Sequence, residues 1–171
     1  MKNLENTSNT ALAIELVINA WANQNQIITA FFSKYDDDYY LNSVAPERNR
    51  GIYLLGHLIV ANDNLIPLLG FGDKLFPQLE EIFWFNPDKK IEVIPSISEL
   101  KANWEKLNEF LKVHFTAMET GQWFERHTKV AEEDFLLDKK RNKLNAFLGR
   151  VTHQNYHIGQ LALFQKKEVA D

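Results

Sequence analysis

Apolar residues recur at helical spacing in four separate stretches of the chain, while strand signals are weak throughout. Ile14, Val17, Ile18, Trp21, Ile28 and Phe32 mark the first stretch and predict a helix over about Asn9–Ser33, interrupted by the polar Asn25. "KYDDDYYLNSVAP" reads as a loop. The second predicted helix opens near Pro46, a residue favoured in a first turn, and runs through "ERNRGIYLLGHLIVANDNLIPLL" to stop at Gly70 and Gly72. Pro67 is placed to kink its last turn. "DKLFPQLEEIFWFNPDKKIEVIP" is a connection long enough to hold one short helix and to let the next long helix cross the fold. Ser96 and Glu99 form an S-x-x-E capping box. It opens a third helix with the stripe Leu100, Trp104, Leu107, Leu111 and Phe115, ended by Gly121. "QWFERHTKVAEEDF" reads as the last loop, and the fourth helix covers about Asp138–Lys166. Helices of roughly 20 or more residues in this order predict an all-α fold, by default a four-helix bundle, in a single domain over residues 1–171.

Composition agrees with a globular chain. Hydrophobic residues make up 45% and charged residues 25% of the 171 positions, too apolar for a disordered segment. Lys and Arg number 19 against 23 Asp and Glu, so no basic face is implied and nucleic acid is not an expected partner. Cysteine is absent, which excludes disulfides, zinc–thiolate sites and a cysteine nucleophile. Any thiol chemistry needs a thiol brought in by a small molecule. The opening "MKNLENTSNTALAIELVINAWANQ" lacks the cationic start and cleavage site of a signal peptide. No apolar run is read as approaching the roughly 20 residues that cross a bilayer, so a cytoplasmic protein away from membranes is expected.

The candidate chemistry lies in "HQNYHIGQ", residues 153–160. On a helix, residues four apart share a face with Cβ atoms about 5–6 Å apart, so His153 and His157 can converge on one metal ion. A metalloprotease helix would carry Glu after its first histidine; here Gln154 follows His153, and glutamine cannot take a proton from water. On a helical wheel, Leu144, Phe147, Leu148, Val151, Ile158 and Ala162 form one apolar face. The two histidines fall nearly opposite, beside Ala146, Gln160, Leu161 and Phe164. A second apolar side could meet another subunit or line an interior pocket. His57, inside the apolar run "IYLLGHLIV", is the best third ligand; His114 and His127 read as surface or loop residues. Spacing alone leaves the choice open between a metal site and three hydrogen-bonded core histidines. Trp21, Asn25, Asn64, Arg150 and Gln160 are the candidate pocket residues. Arg50 and Arg150, close to the histidines in sequence, fit either an anionic substrate or the rim of the bundle. Asp36, Asp37 and Asp38 read as a solvated acidic turn.

"LLGHLIVANDNLIPLLG", followed much later by "THQNYHIGQLALF", resembles the DinB-like superfamily, which includes the YfiT-like proteins. The shared signature is a histidine in the second helix and H-x-x-x-H-x-G-Q in the fourth, matched here by His57, His153, His157, Gly159 and Gln160. The resemblance covers nearly the whole chain. It implies a four-helix bundle with a long crossover between helices 2 and 3, often dimeric, and a divalent metal such as zinc or nickel held by His57, His153 and His157. Characterised relatives include thiol S-transferases and a thiol-dependent isomerase. The leading expectation is therefore a metal-dependent enzyme that transfers or adds a small-molecule thiol. A metal-dependent hydrolase is the alternative, although Asp63, the nearest acid in sequence, points away from His57 on the wheel. A non-enzymatic metal-binding or stress-response bundle is the third reading.

Overall fold

A computed structural model of the chain describes residues 2–164. It is all-helical: α1 (Lys2–Phe32), α2 (Gly51–Asp63), α3 (Leu65–Leu69), α4 (Glu80–Phe83), α5 (Ile97–Ala117), α6 (Glu132–Leu137) and α7 (Lys143–Leu161), joined through 3-10 turns at Asp37–Leu41, Pro77–Leu79 and Thr120–Phe124. No strand occurs among the described residues, only isolated bridges between Ser43 and Arg50 and between Arg126 and Asn142. Helix α1 packs on α7 and α5, α2 packs on α5 and α7, and the short α4 lies against α2.

The second helix starts later than Pro46 predicts. Residues 43–50 fold back into a turn with Glu47 at a positive φ of 58°, and the helix begins at Gly51. The carboxylate of Asp88, far along the connection, accepts the backbone N–H of Arg50 at 2.7 Å and pairs with its guanidinium. It thereby takes up a donor that the start of α2 would leave free. Arg50 is thus part of the scaffold. The helix breaks at Asn64 because Pro67 has no N–H for the carbonyl of Asp63, four residues back. Gly70, at φ 84°, ends α3 as a left-handed cap. The run Gly51–Leu69 is in fact long and apolar enough to cross a membrane by length and composition, against the sequence expectation; 78% of it is buried inside the fold, which accounts for its apolarity.

Asp63 is buried and accepts the backbone N–H groups of Leu75 and Phe76 at 2.8 and 2.9 Å, anchoring the connection to the end of α2. Ser96 accepts Glu99 N–H at 3.1 Å and opens α5, whose buried stripe contains every apolar position predicted for it. That helix ends at Ala117, before Gly121, and the predicted last loop folds into a 3-10 turn and α6. Helix α7 starts at Lys143, where Asn142 accepts the N–H of Asn145, and not at Asp138. Lys166, its predicted end, lies outside the described residues.

The wheel reading of α7 needs correction. Its buried stripe is Phe147, Val151, Gln154, His157 and Leu161, while Leu148 and Ala162 are exposed. His157 therefore belongs to the buried side, with His153 at its edge. Trp21 is core: its ring meets Phe115 edge-on at 5.1 Å, and Phe115 meets Phe147 at 4.5 Å, tying α1, α5 and α7 together.

Candidate metal centre

The packing of α2 on α7 brings His57 to His153 and His157. His57 Nε2 lies 3.2 Å from His153 Nε2, and His157 Nε2 lies 3.0 Å from the same atom. This is the one cluster among the described residues whose donor atoms are close enough to share an ion. Zinc–nitrogen bonds of about 2.0–2.1 Å in a tetrahedron put the nitrogens roughly 3.3–3.4 Å apart, so the rings need to open by only a few tenths of an ångström.

The protons on these rings are positioned from outside. His57 Nδ1 lies 2.9 Å from the carbonyl oxygen of Phe83, which can only accept, so the ring proton sits on Nδ1. His157 Nδ1 likewise donates to Gln160 Oε1 at 2.8 Å, and Gln160 in turn donates from Nε2 to the hydroxyl of Tyr156 at 3.1 Å. Both Nε2 atoms are therefore lone-pair donors aimed at His153. The Nδ1 of His153 is buried and has no partner among the described residues. Burial and the neighbouring positive charges hold His153 down to about 3 and His157 down to about 4; burial also lowers His57. At neutral pH all three imidazoles are neutral, the form that binds metal.

The site is walled by aromatic rings. His57 stacks against Trp84 at 5.3 Å and 11°, and against Tyr53 at 6.3 Å and 10°. Tyr53 is held by its hydroxyl, which donates to the carbonyl of Asn86 at 2.8 Å. Gly56 admits this arrangement: a Cβ there would lie 2.5 Å from three atoms of the Phe83 ring, whose residue supplies the carbonyl to His57.

Of the predicted pocket residues, Gln160 contacts a histidine of the cluster, His157, directly. Arg150 lies three residues before His153 on α7, and its charge acts on both His57 and His153. Asn64 caps α2 and its side chain has no hydrogen bond among the described residues. Trp21 and Asn25 line a separate cavity of about 560 Å³ between α1 and α5, which contains no histidine. There Asn25 accepts from Gln154 at 2.7 Å and donates to Asn108 at 3.1 Å. The nearby polar residues Gln154 and Asn25 thus stitch α7 to α1 and α5. His114 donates to the carbonyl of Phe110, and neither it nor His127 joins the cluster. Asp37 is held by Ser98 and Lys101.

Sequence reasoning missed Phe83 and Trp84. The aromatic-rich "IFWFN" was a usable signal for the stacking ring, whereas a backbone carbonyl has no signature in sequence. Fold and site together define an all-helical protein carrying a three-histidine group suited to a metal ion. No model of a known protein family matches the chain, and no curated protein matches it.

Proposed function

We propose that His57, His153 and His157 hold a divalent cation through their Nε2 atoms, in a metal-dependent enzyme of the DinB-like type acting on a small-molecule thiol. In this reading the long helices form a four-helix bundle, with the segment between α3 and α5 as its crossover. The observation that carries the proposal is the convergence of ring nitrogens: His57 and His157 have their protons drawn outward onto Phe83 and Gln160, which aims both Nε2 lone pairs at His153 Nε2. Without a cation a proton on His153 Nε2 satisfies only one of these lone pairs at a time, whereas a cation takes a lone pair from each of the three rings. Three imidazoles suit zinc or nickel, and three protein ligands leave a coordination position open.

A bound divalent cation supplies Lewis acidity, enough to ionise a thiol or to bring a water near neutrality. The chain's own residues supply the rest. Phe83 and Gln160 fix the ring orientations. Tyr53 and Trp84 keep His57 in place and shield one side from water. Hydrolysis asks for a group that takes a proton from water, and among the described residues no carboxylate belongs to the cluster. Asp63 is occupied with Leu75 and Phe76. This favours the thiol over water as the attacking group. Leu148 and Tyr156 on α7, Leu163 just beyond it, and Leu12 and Leu16 on α1 remain exposed, and we place the contact of a homodimer there, to be checked by light scattering at micromolar concentration.

Metal analysis of the purified protein tests the reading. About one divalent ion per chain is expected, lost in His57→Ala, His153→Ala and His157→Ala but kept in His114→Ala and His127→Ala. Retention of metal by all three cluster variants would overturn it. A screen of low-molecular-weight thiols against a chromogenic electrophile then tests the transferase: turnover that needs both metal and thiol supports it, and metal-dependent turnover without thiol favours the hydrolase.

A further inference from the structure

We propose that Arg150 is an anion-binding arm of the three-histidine centre, and that the small molecule taken there carries a carboxylate. The inference rests on the proposed cation site and names its substrate class. Arg150 precedes His153 by three residues and His157 by seven, so the three side chains share one face of α7. The residue is partly buried, and its Nε atom is fully buried without a hydrogen-bond partner. No acidic side chain pairs with it among the described residues; the ion pairs lie elsewhere, Arg50 with Asp88 included.

An arginine that merely snorkels keeps its guanidinium in water and buries only its stem. Here Nε of the guanidinium itself is buried, which costs free energy unless an anion meets the group, while its two terminal nitrogens are left open to a ligand. A dication on the three imidazoles would stand beside that guanidinium with no acidic residue among the cluster's members. The local charge therefore calls for an anionic ligand. A single guanidinium presents a planar fork of N–H donors that matches a carboxylate bidentately. Arg150 and His153 stand less than one turn apart on the same face, about 4.5 Å of helix rise, so one small molecule is the natural bridge between guanidinium and metal.

The test uses Co²⁺-loaded protein under anaerobic conditions, titrated with 3-mercaptopropionate and with propane-1-thiol. Binding is read from the thiolate-to-cobalt absorption band and from calorimetry. Wild-type protein is expected to prefer the carboxylate-bearing thiol by about tenfold or more, in line with a charge-assisted bidentate pair. Arg150→Gln should take up Co²⁺ with unchanged stoichiometry and lose that preference, and Arg150→Lys should keep part of it. Equal affinities in the wild type, or a preference that survives in Arg150→Gln, overturn the inference while the metal site stands. Wild-type protein that binds no Co²⁺ overturns both. If Arg150→Gln fails to fold, the wild-type comparison still decides, together with the change in melting temperature: 3-mercaptopropionate should raise it more than propane-1-thiol does, and equal shifts count against the arm.

Discussion

Replacing Gly56 by alanine tests how the connection between α3 and α5 builds the site. The new Cβ would sit 2.5 Å from the Cγ, Cδ1 and Cε1 atoms of Phe83, against an ordinary carbon–carbon separation of about 3.5–4.0 Å. Phe83 is fully buried, so its ring cannot swing into solvent and its residue must retreat by roughly 1 Å. Overpacking of this kind costs about 1–3 kcal/mol. Gain of helix propensity on losing a glycine returns about 1 kcal/mol, leaving a net loss of roughly 0–2 kcal/mol. The larger effect falls on the site. The Phe83 carbonyl now accepts His57 Nδ1–H at 2.9 Å, and a shift of about an ångström takes it out of hydrogen-bonding range. Loss of such a partner typically weakens metal binding by about 10–100-fold. Competitive Zn²⁺ titration and urea unfolding of the metal-free protein measure the two effects separately. Gly159→Ala is the control: a Cβ there meets nothing within 4 Å, so it should gain up to about 1 kcal/mol and keep wild-type metal affinity. Wild-type metal affinity in Gly56→Ala would refute the argument, because the carbonyl would then have no hold on His57.

Gln160→Leu removes the acceptor of His157 Nδ1–H and should weaken metal binding by about 10–100-fold while the far-ultraviolet circular dichroism stays unchanged; an unchanged affinity would show that the contact is idle. Metal-free protein should lose stability as the pH falls from about 6.5 towards 4. Unfolded imidazoles take up protons near their usual 6.5, whereas His153 and His157 resist until about 3 and 4, so the unfolded state gains protons first. Urea midpoints between pH 7.5 and 5 should therefore slope less in a His153→Ala/His157→Ala double variant, and equal slopes would contradict the burial argument. Asp63→Ala leaves the N–H groups of Leu75 and Phe76 without their acceptor and should cost about 2–4 kcal/mol in urea unfolding; a change below about 1 kcal/mol would show that water replaces the carboxylate.

Local patterns carried much of the fold. The five-residue stripe of α5 and its Ser96 cap were legible because apolar periodicity and capping chemistry are properties of neighbouring residues. Gly70 and Pro67 marked the end of the second helical run for the same reason. The three ligand candidates were also readable, two from their spacing of four and His57 from its place in an apolar helix. Tertiary structure decided what local pattern cannot express. Pro46 looked like a helix start, but Asp88, thirty-eight residues beyond Arg50, caps the chain at Gly51 instead. Gln154 looked like a polar residue beside a candidate ligand, yet it is wholly buried because Asn25 on α1 meets it. The outer hydrogen-bond partners of these histidines divide the same way. Gln160, three residues from His157, was within reach of helical geometry. The carbonyl of Phe83 was not, since every residue carries one and only the docking of α4 on α2 selects which carbonyl faces His57. A wheel drawn on one helix weighs apolarity alone, whereas burial is fixed by which neighbours arrive, and in α7 those neighbours placed His157 on the inside and Leu148 on the outside.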